Sequence, residues 1–456
     1  MLIKDLSHKK IMVWGLGTEG KSVLRYLLKH NISQDICIYN DENTEIPDEF
    51  KTFPFYFGDA LNNIINNVDV VIKSPGVSIY KTEIINAKNN GVLFTSSTDL
   101  CFNEVRKNHP LCKLIAVTGS KGKSTSVSAL YHIMKEQGCS VALGGNIGKP
   151  LIDLIDENYD FIIAETSSYQ AADLTCSPHV ALFTNLFFVH TSWHLTHENY
   201  CLDKLHLIDN QSSDDICFIN KRNPELMKFI EQKKLSYHNI SYYDTFDNFH
   251  AEDNFLYYKN SVILNLKNLK LCGNHNLDNL AGVFSVLKYL GFDISCAAKD
   301  METFEPLTHR LQNVKTLQGV TFINDSISTA PEAAIGAMKS FDGNIAIISG
   351  GQENGQDYSD YADFINNNSK IKLAVTLFQC GPQIAESIKN RVHRNDFKLL
   401  EASSLEQAVQ SSFETLKSCG GGTVLFSPTS PSFGFYKNFM ERGQHFIDIV
   451  NNLDYK

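Results

Sequence analysis

Residues 114–125 read Leu-Ile-Ala-Val-Thr-Gly-Ser-Lys-Gly-Lys-Ser-Thr. The apolar run at 114–117 predicts a buried strand and the segment after Thr125 predicts a helix, so the glycines fall on a tight turn between the two. There Gly119 and Gly122 let backbone N–H groups face anionic oxygens, Lys123 adds a point charge, and the Ser124 hydroxyl suits a magnesium ion. Ser120, Lys121 and Thr125 complete the set expected to line the phosphates of ATP. The motif is shortened, because Val117 stands where the longer phosphate-loop pattern has its first glycine.

Working outward, 456 residues at about 150 per domain suggest three domains. A formal charge of −10 argues against a general nucleic-acid or membrane-surface binder, which needs a basic excess. The eleven cysteines are odd in number and contain no C-x-x-C pair, which suits reduced thiols better than disulfides or a zinc knuckle. No apolar run reaches the roughly 18 residues of a membrane span. A cytoplasmic protein with no membrane or nucleic-acid partner is expected.

The expected fold class is α/β, divided at 1–104, 105–305 and 306–456. The first segment runs from an apolar strand at 10–14 through Gly15-Leu-Gly17-Thr18-Glu-Gly20 to a helix with apolar Val23, Leu24, Leu27 and Leu28. A second strand ends at Asn40 and Asp41, a polar pair about 20 residues after the glycines, as in dinucleotide-binding folds. A lone pattern of this kind suits a nicotinamide cofactor, the diphosphate of a nucleotide sugar, or a turn needed only for helix packing. Ser74, Pro75 and Gly76 form another turn at the end of the strand at 68–73. In the second segment a strand delivers Glu165-Thr-Ser-Ser168-Tyr-Gln170, which places Glu165 at the carboxyl edge of a parallel sheet, where a magnesium ion would lie. The third segment has strands near 320–323, 345–348, 373–378 and 424–426 and reads as a Rossmann-like unit.

The order of these motifs resembles the Mur ligase family, its MurD type in particular, over nearly the whole chain. The resemblance rests on GLGTEG at 15–20, SPGV at 74–77, the shortened loop, GGNIG at 144–148, ETSSYQ at 165–170, GNHNLDN at 273–279, HR at 309–310, NDS at 324–326, SP at 427–428 and YKNF at 436–439. It implies an N-terminal domain for a uridine nucleotide, a central ATPase and a C-terminal domain that supplies part of the amino-acid site. The implied reaction joins glutamate to UDP-N-acetylmuramoyl-L-alanine through an acyl phosphate, with ATP and two magnesium ions, by an enzyme acting as a monomer. The family's second metal implies His190 and Lys204 as ligands beside Ser124 and Glu165, the lysine as a carbamate. Asn279, Arg310 and Asp325 match positions that touch adenine, phosphates and ribose. Gly15, Gly17, Thr18, Asn40, Asp41, Ser74, Pro75, Gly76, Asn146, Ser168 and Gln170 are the implied acceptor contacts. A competing reading puts His190, His194 and His197 on one helix face as a zinc site.

Two departures bear on the glutamate. Where D-glutamate-adding members carry a lysine, residues 325–331 read Asp-Ser-Ile-Ser-Thr-Ala-Pro, and the turn 350–355 lacks the second lysine. A dicarboxylate still needs cationic or N–H partners. The segments 190–194, 325–329 and 427–433 are similar to the branch that adds L-glutamate, whose product a partner enzyme epimerises; D-glutamate is the alternative. Ser432 and Phe433 are the candidates for the glutamate pocket. A folylpolyglutamate-type ligase shares the ATP loop but not the N-terminal nucleotide turn, an oxidoreductase leaves the ATP loop unexplained, and a non-catalytic binding protein leaves Lys123, Glu165 and Lys204 unexplained.

Overall fold

The structure is a computed structural model and describes all residues except 188–190, 234–238, 272, 354 and 454–456. The chain forms two compact units, 1–268 with 275–304, and 269–274 with 305–456.

The first unit carries two parallel sheets. In the first, strands β1 (Ile11–Trp14), β2 (Ile36–Asn40), β3 (Phe55–Phe57), β4 (Val70–Lys73) and β5 (Leu93–Thr95) lie in the order β3-β2-β1-β4-β5. The second comprises β6 (Lys113–Thr118), β7 (Val141–Gly145), β8 (Phe161–Glu165), β9 (Val180–Phe183), β10 (Ile216–Asn220) and β11 (Ile240–Tyr243), ordered β11-β10-β9-β6-β8-β7. All pairs in both sheets are parallel. Sheets of this kind are covered on both faces, so their strands read as unbroken apolar runs. Ile11-Met-Val-Trp14 shows this, with all four residues buried; Ile11 and Val13 face one core cluster, Met12 and Trp14 another. The first of these clusters continues without a break into the second sheet, through Leu114, Ala116 and Phe183.

Both sheets reverse strand order at the strand that feeds a glycine turn. β1 lies between β2 and β4, and β6 lies between β9 and β8. Ligand crevices open at such reversals, outside the carboxyl ends of the strands. A three-stranded antiparallel sheet of β12 (Phe249–Glu252), β13 (Phe255–Tyr258) and β14 (Ser261–Asn265) completes the unit.

The second unit holds one six-stranded sheet in the order β15-β16-β20-β17-β18-β19, from β15 (Gln312–Leu317), β16 (Val320–Asn324), β17 (Ile345–Ser349), β18 (Ile371–Thr376), β19 (Lys398–Glu401) and β20 (Gly422–Phe426). Only β15 runs antiparallel. Apolar clusters cover both faces. The expected α/β class therefore holds, with strands at each of the four positions named for the third segment. Among the described residues no helix is long and apolar enough to cross a membrane.

Candidate active site

The glycine loop at 119–124 is bonded to the residues that follow β9. Gly119 and Gly122 have φ of +148° and +83°, a region that disfavours side chains. A Cβ on Gly119 would lie 2.0 Å from Thr184 Oγ1, and one on Gly122 would lie 2.0 Å from Asn279 Oδ1. Neither position has room for more than glycine. Thr184 Oγ1 donates to the Lys121 carbonyl at 2.6 Å, while the Lys121 N–H donates to Asn185 Oδ1 at 2.8 Å. Lys123 opens the helix Lys123–Glu136, its Nζ 2.9 Å from the Gly119 carbonyl and 3.3 Å from that of Ser120. Ser124 and Thr125 are buried in the first turn of that helix, and Ser120 Oγ meets the Tyr200 hydroxyl at 2.6 Å.

Glu165 ends β8, beside Val117 of β6. Its Oε1 accepts from Asn146 Nδ2 at 3.0 Å; its Oε2 is buried and has no hydrogen-bond partner among the described residues. Such an orphan carboxylate oxygen is costly unless a cation or donor meets it. Lys204, on the helix His197–Leu205, is buried with its Nζ donating to the Gly119 carbonyl at 3.1 Å. Burial, and after it the Lys123 charge, holds this ammonium well below its ordinary pKa, which favours the neutral amine. Magnesium fits this donor set: a hydroxyl at the helix start, a carboxylate oxygen without a partner, and a lysine chemically suited to carbamate formation.

His190 lies outside the described residues. The zinc reading fails at the other two histidines, because the helix Thr191–His194 ends before Leu195, whose φ is +65°, and His197 starts another helix. His194 is fully buried and spends both ring nitrogens on Asp203 and Ser168. Among the described residues no three His, Cys, Asp or Glu side chains gather as a metal site.

The N-terminal turn is built by contacts between its own parts. Gly15 has φ +103°, and a Cβ on Gly20 would sit 1.9 Å from the Gly15 carbonyl oxygen, so the third glycine serves close helix packing. Gly17 precedes the helix Thr18–Lys29. The Leu16 N–H reaches Asn40 Oδ1 at 3.4 Å and Ser74 Oγ donates to the Gly15 carbonyl at 3.3 Å, which joins three of the expected contact regions. Asp41 instead pairs with Lys81 at the surface, at 3.1 Å. The Pro75 and Gly76 carbonyls accept from Trp193 Nε1, each at 3.1 Å. Gln170 is fully engaged, donating to Glu19 at 2.8 Å and accepting from the Ser167 N–H at 2.9 Å and hydroxyl at 3.0 Å. Sequence reasoning missed Glu19, although an acidic residue inside a phosphate-type glycine turn was a visible anomaly. Burial pushes its carboxyl up to about 7. It also missed the buried pair of Lys73 and Asp173, 3.0 Å apart.

In the second unit Asp325 follows β16 and accepts from Ser328 Oγ at 2.5 Å, Ser427 Oγ at 2.9 Å and the Leu311 N–H at 3.2 Å. Burial raises it to about 6 despite those bonds. Arg310 Nε is buried without a hydrogen-bond partner among the described residues. Ser432 is buried whereas Phe433 is exposed. Arg442, missed in the sequence, lies fully buried under these turns. It donates to Ser326 Oγ at 3.1 Å, the Ser326 carbonyl at 2.8 Å and the Ser430 carbonyl at 2.9 Å. Burial lowers its pKa to about 10, so the guanidinium remains charged at neutral pH.

A glycine loop with lysine and serine, a strand-end carboxylate and a second glycine turn on a separate sheet define an α/β nucleotide-dependent protein of several sheets. The comparisons place it further. Residues 9–96 match the Mur ligase MurD-like N-terminal domain and residues 117–287 the Mur ligase middle domain. The chain is 31% identical over 459 residues, 99% of its length and 97% of the relative's, to the UDP-N-acetylmuramoyl-L-alanine--L-glutamate ligase of Xanthomonas euvesicatoria pv. vesicatoria (strain 85-10). It is 29% identical over 472 residues to the UDP-N-acetylmuramoylalanine--D-glutamate ligase of Acetivibrio thermocellus, covering 99% of this chain and 98% of that one. In fold it is similar to the MurF ligase of Thermotoga maritima in complex with ADP, with a TM-score of 0.56, 14% identity and coverage of 98% and 95%. MurC of the same organism gives 0.55 at 18% identity, covering 97% and 99%. The chain belongs to the Mur ligase family.

Proposed function

We propose that this enzyme joins glutamate to UDP-N-acetylmuramoyl-L-alanine at the expense of ATP, and that the glutamate is the L enantiomer. The observation that carries the reaction type is the convergence of Lys123, Lys204 and the unpartnered oxygen of Glu165 around the Gly119–Ser124 loop. A carboxylate resists attack by an amine until one oxygen becomes part of a good leaving group. The acceptor's alanyl carboxylate oxygen therefore bonds to the γ-phosphorus as ADP leaves, a transfer governed by positioning and cationic charge. Lys123 and the loop N–H groups hold the triphosphate for that displacement. Ser124 and Glu165 would hold one magnesium ion and the Lys204 carbamate, with His190 as the family pattern implies, a second, and the metal would supply charge against the phosphoryl oxygens. The carbamate forms when the neutral Lys204 amine bonds to carbon dioxide and releases a proton. The glutamate amine next bonds to the acyl carbon, phosphate leaves, and the nitrogen gives up its proton. Positive charge near the tetrahedral oxyanion lowers this second barrier.

The N-terminal glycine turn would take the diphosphate of the acceptor and Asn279, Arg310 and Asp325 the nucleotide of ATP, as the family pattern implies. For the glutamate, Ile327 replaces a cationic contact, and Arg442 beneath Ser326 and Ser430 supplies a fixed positive charge to the turns that carry Ser432. The L enantiomer is favoured by the segments at 190–194, 325–329 and 427–433. An L-configured product then requires a downstream epimerising enzyme.

Phosphate release from ATP with UDP-N-acetylmuramoyl-L-alanine, run with L-glutamate, D-glutamate or neither and with products checked by mass, tests the reading. Turnover with L-glutamate alone is the expected result. Turnover with D-glutamate alone would reassign the enantiomer, and silence with both would overturn the ligase reading.

A further inference from the structure

A hydrogen-bonded chain of four side chains runs through the first unit next to the loop. The Tyr80 hydroxyl lies 3.0 and 3.1 Å from the two carboxylate oxygens of Asp203, Asp203 Oδ2 lies 2.5 Å from His194 Nδ1, and His194 Nε2 lies 2.9 Å from Ser168 Oγ. His194, Asp203 and Ser168 are buried. An ionised carboxylate only accepts, so Tyr80 O–H and His194 Nδ1–H both point at Asp203. His194 Nε2 then accepts from the Ser168 hydroxyl.

The two ends of this chain matter for what lies beside them. Ser168 opens the short helix three residues after Glu165, and Asp203 immediately precedes Lys204. One imidazole thus cross-links the strand-end turn that carries the carboxylate to the helix that carries the lysine. The backbone that carries this imidazole is held on both sides. The His194 carbonyl accepts from the Thr196 N–H at 2.8 Å and from Asn199 Nδ2 at 2.8 Å, across the corner made by Leu195. Neighbouring Trp193 stacks on Tyr169 with centroids 4.7 Å apart, gives its indole N–H to the Pro75 and Gly76 carbonyls, and takes the Ser78 hydroxyl on its own carbonyl at 2.7 Å.

We propose that His194 is a positioning residue that fixes the separation of Glu165 and Lys204, acting through Ser168 and Asp203, with Tyr80 extending the link to the loop after Ser74–Gly76. The inference rests on the proposed roles of Glu165 and Lys204 as metal ligands and goes beyond them to what sets their spacing. A buried polar chain in which every member is satisfied specifies one arrangement, and a chain missing one member does not. Groups that orient metal ligands from behind change metal affinity or activity by about 10–100-fold when removed.

The test uses the full-length protein with Asp203→Asn, His194→Ala and Tyr80→Phe. Three readouts separate a positioning role from plain stability: the carbon-13 signal of a lysine carbamate on adding labelled bicarbonate, the magnesium concentration that half-saturates phosphate release, and the melting temperature. Asp203→Asn and His194→Ala are expected to weaken the carbamate signal and raise the half-saturating magnesium by about 10–100-fold, with little change in the KM for glutamate. Tyr80→Phe removes one donor and keeps the packing, so it carries the test if the other two do not fold, and is expected to move both readouts less and in the same direction. Folded variants with the wild-type carbamate signal and magnesium response would overturn the proposal, as would a wild-type protein with no carbamate. A wild-type carbamate that Asp203→Asn abolishes, in a protein without ligase turnover, would uphold the link and sink the functional reading alone.

Discussion

The turns at 15–20 and 119–124 share a backbone plan, and charge separates them. Each follows a buried strand at a reversal of strand order, each uses a glycine at positive φ, and each leads into a helix whose first N–H groups are available to an anion. The loop at 119–124 puts Lys123 at the start of its helix, close to the loop's own carbonyls. The N-terminal turn puts Glu19 there, bonded to Gln170. A helix N-terminus favours an ionised carboxylate by about 0.3–1 kcal/mol, yet Glu19 sits at about 7 because burial outweighs that attraction. On the function proposed above, the loop at 119–124 passes on a phosphoryl group and needs cationic charge as the bond breaks, whereas the turn at 15–20 grips a diphosphate and can rely on its backbone.

The comparison breaks most sharply at the lysine. Lys123→Met is expected to lower kcat by about 10²–10³-fold, the scale of losing one transition-state donor, while acceptor binding measured by calorimetry is retained. Equal loss of acceptor binding would mean the two turns do not divide the work.

Next come the glycines. Gly122→Ala must adopt φ +83° and meets Asn279, so it should lose about 1–2 kcal/mol from the left-handed backbone alone. That corresponds to about 2–4 °C of melting temperature per kcal/mol, with an added loss of ATP turnover. Gly20→Ala should instead raise the KM for the acceptor, since its Cβ collides with the Gly15 carbonyl. Gly17→Ala, at φ −69° with nothing within 4 Å, should leave the melting temperature and the ATP KM unchanged. A Gly17→Ala variant as unstable as Gly20→Ala would remove the steric basis of this contrast.

The smallest effect lies at Glu19. Its folded pKa of about 7 exceeds the reference 4.5, so between those values the folded protein keeps a proton that the unfolded chain has released. Stability from this group is complete below 4.5 and declines as pH rises towards 7. Glu19→Gln should flatten the melting temperature across that window, as followed by calorimetry in a pH series. An unchanged slope would show that the carboxyl is not buried as described.

Much of this architecture was legible because parallel strands buried on both faces are continuous apolar runs; the runs at 10–14, 161–164 and 345–348 all became strands. β15 and β19 escaped because they are largely half-exposed edge strands without such runs. The sheet β12–β14 carried a local signal that was overlooked: Asp253-Asn254, both at positive φ, joins two aromatic-rich strands as a two-residue hairpin turn. Within the site, loop residues and Glu165 were readable because they are local to one strand end. The bonds of His194 were not, since Asp203 lies nine residues on and Ser168 26 residues back, with Tyr80 reaching Asp203 from 123 residues away, and nothing in the local sequence pairs them before folding. Arg442 was hidden for the same reason: its partners lie 12 and 116 residues away.

The contact between Gly20 and the Gly15 carbonyl has an engineering meaning. It fixes the shape of the N-terminal turn through atoms that every glycine shares, so the exposed Thr18 side chain is not needed to hold that backbone, whereas Glu19 ties the turn to Gln170. Position 18 is the tunable one. A library varied at 18 and held constant at 15, 19 and 20 would explore which acceptor head groups this scaffold can take while the turn itself stays in place.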